Sequence, residues 1–304
     1  WSPEDPIETP VSQYGIFDFD DNDEFLKSLG VCRSRITSAI KALAGAYPTI
    51  VVEYIRQRMA EVLQSFPRST NALREGTPYG TIFSTAYIQL EGATICLEKI
   101  LGAFNAKMTA ANGLSNGGGV STGLHKILEM LVNYKTDDPL LLGRQMIGLS
   151  TFSKGGYFKN HDQSLGFVLE KLFSSTIFQT PLELQRKTGL GDLHNDTKSA
   201  RRKAMVALIK IAMRVPAKML PNFPNIINRV LELINTSQIM DSEKALLYEM
   251  MVIVSNSISV FEEQKSFLDN MMEAPLRDWT MDASTSLVSS PQAFIAMLRS
   301  SSAD

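Results

Sequence analysis

The stretch "IVVEYIRQRMAEVLQSF", Ile50 to Phe66, carries apolar side chains at Val52, Ile55, Met59, Val62, Leu63 and Phe66. Steps of three and four residues put all six on one stripe of an α-helix; a half-buried strand needs strict alternation instead. Pro48 ends the helix before it, which we place from about Asn22 to Tyr47. Asn22 suits an N-cap, and Asp23 and Glu24 complement the positive end of the helix dipole.

The same period recurs to the end of the chain. It predicts helices near 79–108 and 122–134, and another that starts at Pro139 behind the Asp137–Asp138 cap and is broken by "GGYF". Further helices fall near 163–178, from Lys198 onward, and near 224–236, 241–258 and 262–273. Pro275 and Pro291 bracket a last helical pair. No segment alternates as a strand would, so the fold class is all-α.

Helices of similar size arrive in antiparallel pairs joined by short turns. Successive pairs recur at or above the about 40–47 residues of a HEAT or armadillo unit. This favours a HEAT-repeat α-solenoid over a compact bundle, although no crisp repeated consensus stands out. We expect residues 1–16 to be a tail or the end of a loop and residues 17–298 to be one HEAT-repeat segment. Flexible loops are expected near 67–78, 110–119 and 180–196, and a short tail at 299–304.

With 304 residues, 44% of them hydrophobic and 20% charged, the chain is able to bury a sizeable core. A net charge of −2 gives no global field for nucleic acid or membrane, so a polyanion must be met by a local patch. Two cysteines, Cys32 and Cys96, are too few for a disulfide framework and fit a reducing compartment. No apolar run approaches bilayer length, and no signal-peptide pattern opens the sequence. A first residue of Trp1 leads us to expect a piece of a longer chain.

Chemistry-bearing motifs are absent. "GLSNGGGVSTGLHK", Gly113 to Lys126, lacks both the Lys-Ser/Thr pair and the preceding strand of a phosphate loop and reads as a surface linker. Asp18, Asp20, Asp21, Asp23 and Glu24 miss the calcium-loop pattern and read as a solvated acidic cap. The three histidines have no zinc spacing. We expect no enzyme, no metal and no cofactor.

One segment breaks the balance. Arg186 to Arg214 holds eight lysines or arginines against Asp192 and Asp196. In "KSARRKAMVALIKIAMR", Ala204, Met205, Leu208, Ile209, Ile211 and Ala212 form the apolar face. Lys203, Lys210 and Arg214 lie opposite, and Arg201 and Arg202 flank the stripe near its start. A solvated face suffices for Lys210 and Arg214. Cations crowded at a helix N-terminus cost roughly 0.3–1 kcal/mol each, unless an anion from a partner meets them and the free N–H groups there. Arg186, Lys187, Lys198, Arg201, Arg202 and Lys203 are therefore candidate contacts to phosphate or to an acidic partner.

These residues complete a larger pattern. "FDFDDNDEF", "YKTDDPLLL", "LEKLFSSTIFQT", "ARRKAMVALIKI", "LPNF", "EKALLYEMMVIVSNS", "EEQKSFLDNMM" and "PQAFIAML" follow one another from Phe17 to Leu298. In that order they resemble the middle section of the exportin-5 family of the importin-β (karyopherin) superfamily. The resemblance implies a segment of a HEAT superhelix that shuttles between nucleus and cytoplasm through the nuclear pore. It implies RanGTP-dependent export of structured or double-stranded RNA such as pre-microRNA, with RanGTP held mostly outside this segment and no membrane involved. It also implies that Arg201 and Arg202 match an arginine pair lining a basic tunnel for a short 3′ overhang. The family's serine and glutamine there are replaced by Val206 and Asp241, neither of which reproduces the contact. Alternatives are a karyopherin with protein cargo, phosphorylated or not, which would also meet nuclear pore proteins, and an α-solenoid scaffold that works without Ran.

Overall fold

The computed structural model describes residues 22–65, 84–108, 118–154, 156–159, 161–280 and 289–300. Every element among them is helical: α1 (Asn22–Ala46), α2 (Pro48–Ser65), α3 (Thr85–Met108), α4 (Gly118–Asn133), α5 (Pro139–Thr151), α6 (Asp162–Thr176), α7 (Pro181–Arg186), α8 (Asn195–Arg214), α9 (Pro216–Met219), α10 (Phe223–Asn235), α11 (Asp241–Ser255), α12 (Phe261–Thr280) and α13 (Pro291–Ser300). Short 3-10 turns lie at Tyr157–Lys159, Leu190–Asp192 and Leu220–Asn222. Asp18, Asp20 and Asp21 of the acidic cap lie outside the described residues, as does the loop expected at 67–78; Asp23 and Glu24 stand in the first turn of α1.

Two rows of helices run side by side. Along one, α1 packs on α3, α3 on α5, α5 on α8 and α8 on α11; along the other, α2 packs on α4 and α4 on α6. The rows meet where α2 touches α1 and α3, where α4 touches α5, and where α6 touches α8; α10 and α12 then pack on α11. Each helix thus meets only near neighbours, the arrangement of an all-α solenoid.

The stripe on α2 seals one such contact. Val52, Ile55, Met59 and Val62 are buried, and Leu63 packs against the same core; Phe66 lies outside the described residues. Backbone approach is close where Gly123 of α4 faces Val52: a Cβ at 123 would stand 2.5 Å from Val52 Cγ1. At the start of α5, Asp138 accepts hydrogen bonds from the N–H groups of Leu140 (2.8 Å) and Leu141 (3.2 Å), and Pro139 opens the helix as its fixed φ allows.

Three expectations need correction. Gly118 and Gly119 belong to α4 rather than to a loop. Pro275 does not end a helix but lies within α12, where one missing N–H leaves the rest of the ladder able to form. The stretch 180–196 is structured: Thr180 and Glu183 cap each other's backbone N–H around α7, with Pro181 at its first position.

Gly123→Ala in the whole protein should cost about 1–3 kcal/mol through overpacking. Adding Val52→Ala should return part of that loss. Denaturant melts of the single and double variants check both; equal stability of Gly123→Ala and the parent would show that α2 and α4 are not in contact at this point.

Candidate nucleic-acid interface

The basic segment folds differently from its pattern at one end. α8 starts at Asn195, three residues before Lys198, so its first turn holds Asp196 and not the cations. His194 caps it, Nδ1 accepting from the Asp196 N–H at 3.2 Å. Asp196 favours the dipole, and Arg201 to Lys203 are the seventh to ninth residues of the helix, about two turns in, where the dipole effect has faded.

Arg201 is corrected outright as a surface contact. It is 1% exposed and is the bulkiest fully buried side chain among the described residues. Its Nε donates to Glu243 Oε1 at 2.9 Å and its Nη2 to Glu243 Oε2 at 2.7 Å, a two-pronged pair with a carboxylate of α11. Nη2 also donates to the Gln238 carbonyl at 2.7 Å. Glu243 in turn accepts from the Met240 N–H at 2.9 Å. Position 201 falls four residues after buried Thr197 and four before buried Met205, on the helix stripe that faces the interior. A guanidinium there needs a partner, and Glu243 supplies it.

A second buried carboxylate organises the segment before α8. Glu183 accepts from the Thr180 N–H (2.8 Å), the Thr180 hydroxyl (2.8 Å), the Thr197 hydroxyl (3.0 Å) and the His194 N–H (2.8 Å). Burial alone would raise its pKa, but the hydrogen bonds from Thr180, His194 and Thr197 outweigh it and hold the carboxyl below its ordinary value of 4.5. Lys198 is tied to the same segment, its Nζ donating to the Gly191 carbonyl at 2.6 Å. Arg186 and Lys187 end α7 and are exposed. Lys187 closes the helix in the left-handed conformation, φ 53°, a place where glycine would be cheaper by about 1 kcal/mol.

Arg202 and Lys203 come together in a cleft of ≈ 260 Å³ between α5 and α8. Its walls are Ile147 and Ser150 from α5, and Ser199, Arg202, Lys203, Val206, Ala207 and Lys210 from α8. That set contains three cations, two hydroxyls and no carboxylate. The Lys203 stem lies over Gly143, where a Cβ would come within 2.8 Å of its Cδ. Burial lowers the Lys203 pKa and the Arg144 guanidinium lowers it further, against the opposing pull of Asp196 and Glu91. Arg144 is itself committed: it pairs with Glu91, donates to the Tyr87 hydroxyl from Nε at 2.9 Å, and stands 4.9 Å from the Tyr87 ring centre.

Of the six candidate contacts, the cleft therefore gathers Arg202 and Lys203, leaves Lys198, Arg186 and Lys187 to one side, and excludes Arg201. It adds Lys210, which periodicity assigned to a solvated face. The signal was available: 202, 206 and 210 are spaced by four and share one helix face.

Residues 3–303 match the family model described as the Exportin-5 family. The chain belongs to the Exportin-5 family. It is 26% identical over 298 residues to exportin-5 of Homo sapiens, covering 95% of this chain and 24% of that protein. Against exportin-5 of Dictyostelium discoideum the identity is 23% over 300 residues, 96% of this chain and 25% of that protein. The chain thus spans about a quarter of the length of these exportin-5 relatives. The two departures from the family pattern also find their places. Val206 gives the cleft wall an apolar side chain, and Asp241, at the exposed start of α11, pairs with Lys244 at 2.6 Å. Among the described residues no helix is long and apolar enough to cross a membrane, and no three potential ligands cluster to hold a metal ion.

The folded pKa of Glu183 lies below its unfolded value, so its contribution is complete above the ordinary 4.5 and fades as pH falls through the folded value. Amide exchange at Thr180 and His194, corrected for intrinsic rates, should accelerate as the pH drops below 4.5. In Glu183→Gln that pH step should vanish and exchange should be faster throughout.

Proposed function

We propose that this chain is the central HEAT-repeat segment of a nuclear export receptor that carries structured or double-stranded RNA, such as pre-microRNA, from nucleus to cytoplasm. Cargo loading depends on RanGTP, bound mostly by repeats outside this segment. The receptor shuttles through the nuclear pore, where it meets pore proteins, and it performs no catalysis.

One observation supports the RNA reading above the rest. Lys203 is half-buried, with a like charge at Arg144 beside it and no hydrogen bond or ion pair of its own among the described residues. Arg202 and Lys210 share its cleft without a carboxylate on the walls. Such a group is less stable than a solvated lysine, and an incoming phosphate oxygen restores what burial removed. The hydroxyls of Ser150 and Ser199 offer neutral partners beside the charges. Lys198, Arg186 and Lys187 extend the basic surface along the chain, the last held in a strained backbone conformation that a glycine would relieve. RNA is thereby held through its phosphates, tolerant of sequence and sensitive to salt. With Val206 and Asp241 in place of the family's serine and glutamine, the 3′ overhang meets charge and an apolar wall rather than hydroxyl and amide contacts.

In the full-length receptor with RanGTP, Arg202→Glu/Lys203→Glu should lower affinity for an RNA hairpin bearing a 3′ overhang by on the order of tenfold or more, and flatten the dependence of affinity on salt. Affinity in the parent should also fall as pH rises through the lowered pKa of Lys203, a step that Lys203→Arg removes. Unchanged hairpin binding by the double variant, with loss of an acidic protein cargo instead, would assign the cleft to protein.

A further inference from the structure

Arg201 and Arg202 are adjacent in sequence and opposite in role. One is sealed between α8 and α11; the other opens into the cleft between α8 and α5. A helix can turn about its axis or slide along it unless something specific prevents this, and apolar contacts alone are non-directional. The Arg201–Glu243 pair is directional. Two parallel N–H to oxygen bonds fix both the distance and the plane of the guanidinium, and a third bond to the Gln238 carbonyl fixes it from another side. Glu243 is equally constrained, because its Oε2 also accepts from the Met240 N–H where α11 begins. On its far side α8 is held by the Lys203 stem resting in the slot at Gly143.

We infer that the buried Arg201–Glu243 pair is the joint that sets the rotation and register of α8, so that Arg201 and Glu243 are positioning residues for the cation cleft and not contacts of its ligand. The inference rests on the cleft reading above. Removing one partner leaves a buried charge without compensation, and α8 or α11 must shift to hydrate it. Removing both and substituting apolar side chains of similar size removes the need for that shift, as replacement of buried ion pairs by hydrophobic residues is often neutral. A residue that touched RNA itself would behave otherwise: no change at Glu243 would compensate for its loss.

The test uses the full-length receptor with RanGTP and the hairpin RNA, measured over a salt series, with hydrogen exchange of α8 and α11 recorded without RNA. Arg201→Met and Glu243→Leu should each speed exchange in both helices and weaken hairpin binding at least about fivefold, with the salt slope unchanged. Arg201→Met/Glu243→Leu should return both exchange and affinity to within about twofold of the parent. A double variant still as weak as Arg201→Met, with a slope smaller by about one phosphate contact, would make Arg201 a direct contact and overturn the inference. Single variants that exchange faster yet bind RNA normally would also overturn it, leaving the pair with stability alone. Arg202→Glu/Lys203→Glu, run alongside, separates the levels: normal binding there removes the cleft reading and this inference with it, whereas a loss there confines any failure to the joint.

Discussion

Helix α8 packs at once against α5, α6 and α11, joining the two rows of the solenoid. A helix in that position has to be apolar over most of its circumference, with small residues where its neighbours come close. Ala200, Ala204, Ala207 and Ala212 meet the second demand, and Met205, Leu208, Ile209 and Ile211 the first. Any polar group on the enclosed faces must then find a partner inside. Thr197 and Arg201 are the two such groups in its first half, and each has drawn a carboxylate inward: Glu183 to Thr197, Glu243 to Arg201. Both acids also serve a helix start, Glu183 at α7 and Glu243 at α11. Burial of one helix has therefore shaped the segment before it and α11, the next helix of its row.

Local information made most of the fold legible. The apolar stripe of α2, the interior face of α8 and the Asp138 cap each depend on residues within a turn or two, and each lies in the structure where its spacing puts it. Where the reading faltered, composition had been given more weight than spacing. Thr180 and Glu183, three apart around Pro181, form a helix-start signal, yet their polar surroundings made the segment look like a loop. Proline in α12 misled for the opposite reason: one absent hydrogen bond is a strong local signal but a small part of a long helix.

The candidate site was legible only as a density of charge. Spacing alone does place Arg201 on the stripe of Thr197, Met205 and Leu208, which argues for burial. What spacing cannot supply is Glu243, 42 residues away, or the α5 wall that turns Arg202, Lys203 and Lys210 into one cleft. Those are tertiary facts. They divide the cations into three kinds: Arg201 fully compensated, Lys198 engaged with a backbone carbonyl, and Lys203 partly desolvated beside Arg144, drawn on by Asp196 and Glu91 only at a distance.

That division bears on how a solenoid handles a polyanion. Exposed ion pairs contribute little, so cations already in bridges have little to give a ligand and those in water little to gain. The cation with most to gain is partly dry and unpaired, and here it is Lys203, between α5 and α8, successive helices of one row, with exposed Arg202 and Lys210 beside it. The width of a cleft so placed depends on the angle between adjacent repeats, the softest coordinate in a structure whose units touch only their neighbours. An anion bridging Ser150 on one wall and Arg202 on the other would hold that angle at one value. On the proposed reading, ligand affinity and local curvature are two sides of the same equilibrium, and whatever fixes α8 against α11 fixes one wall of the cleft before an anion arrives.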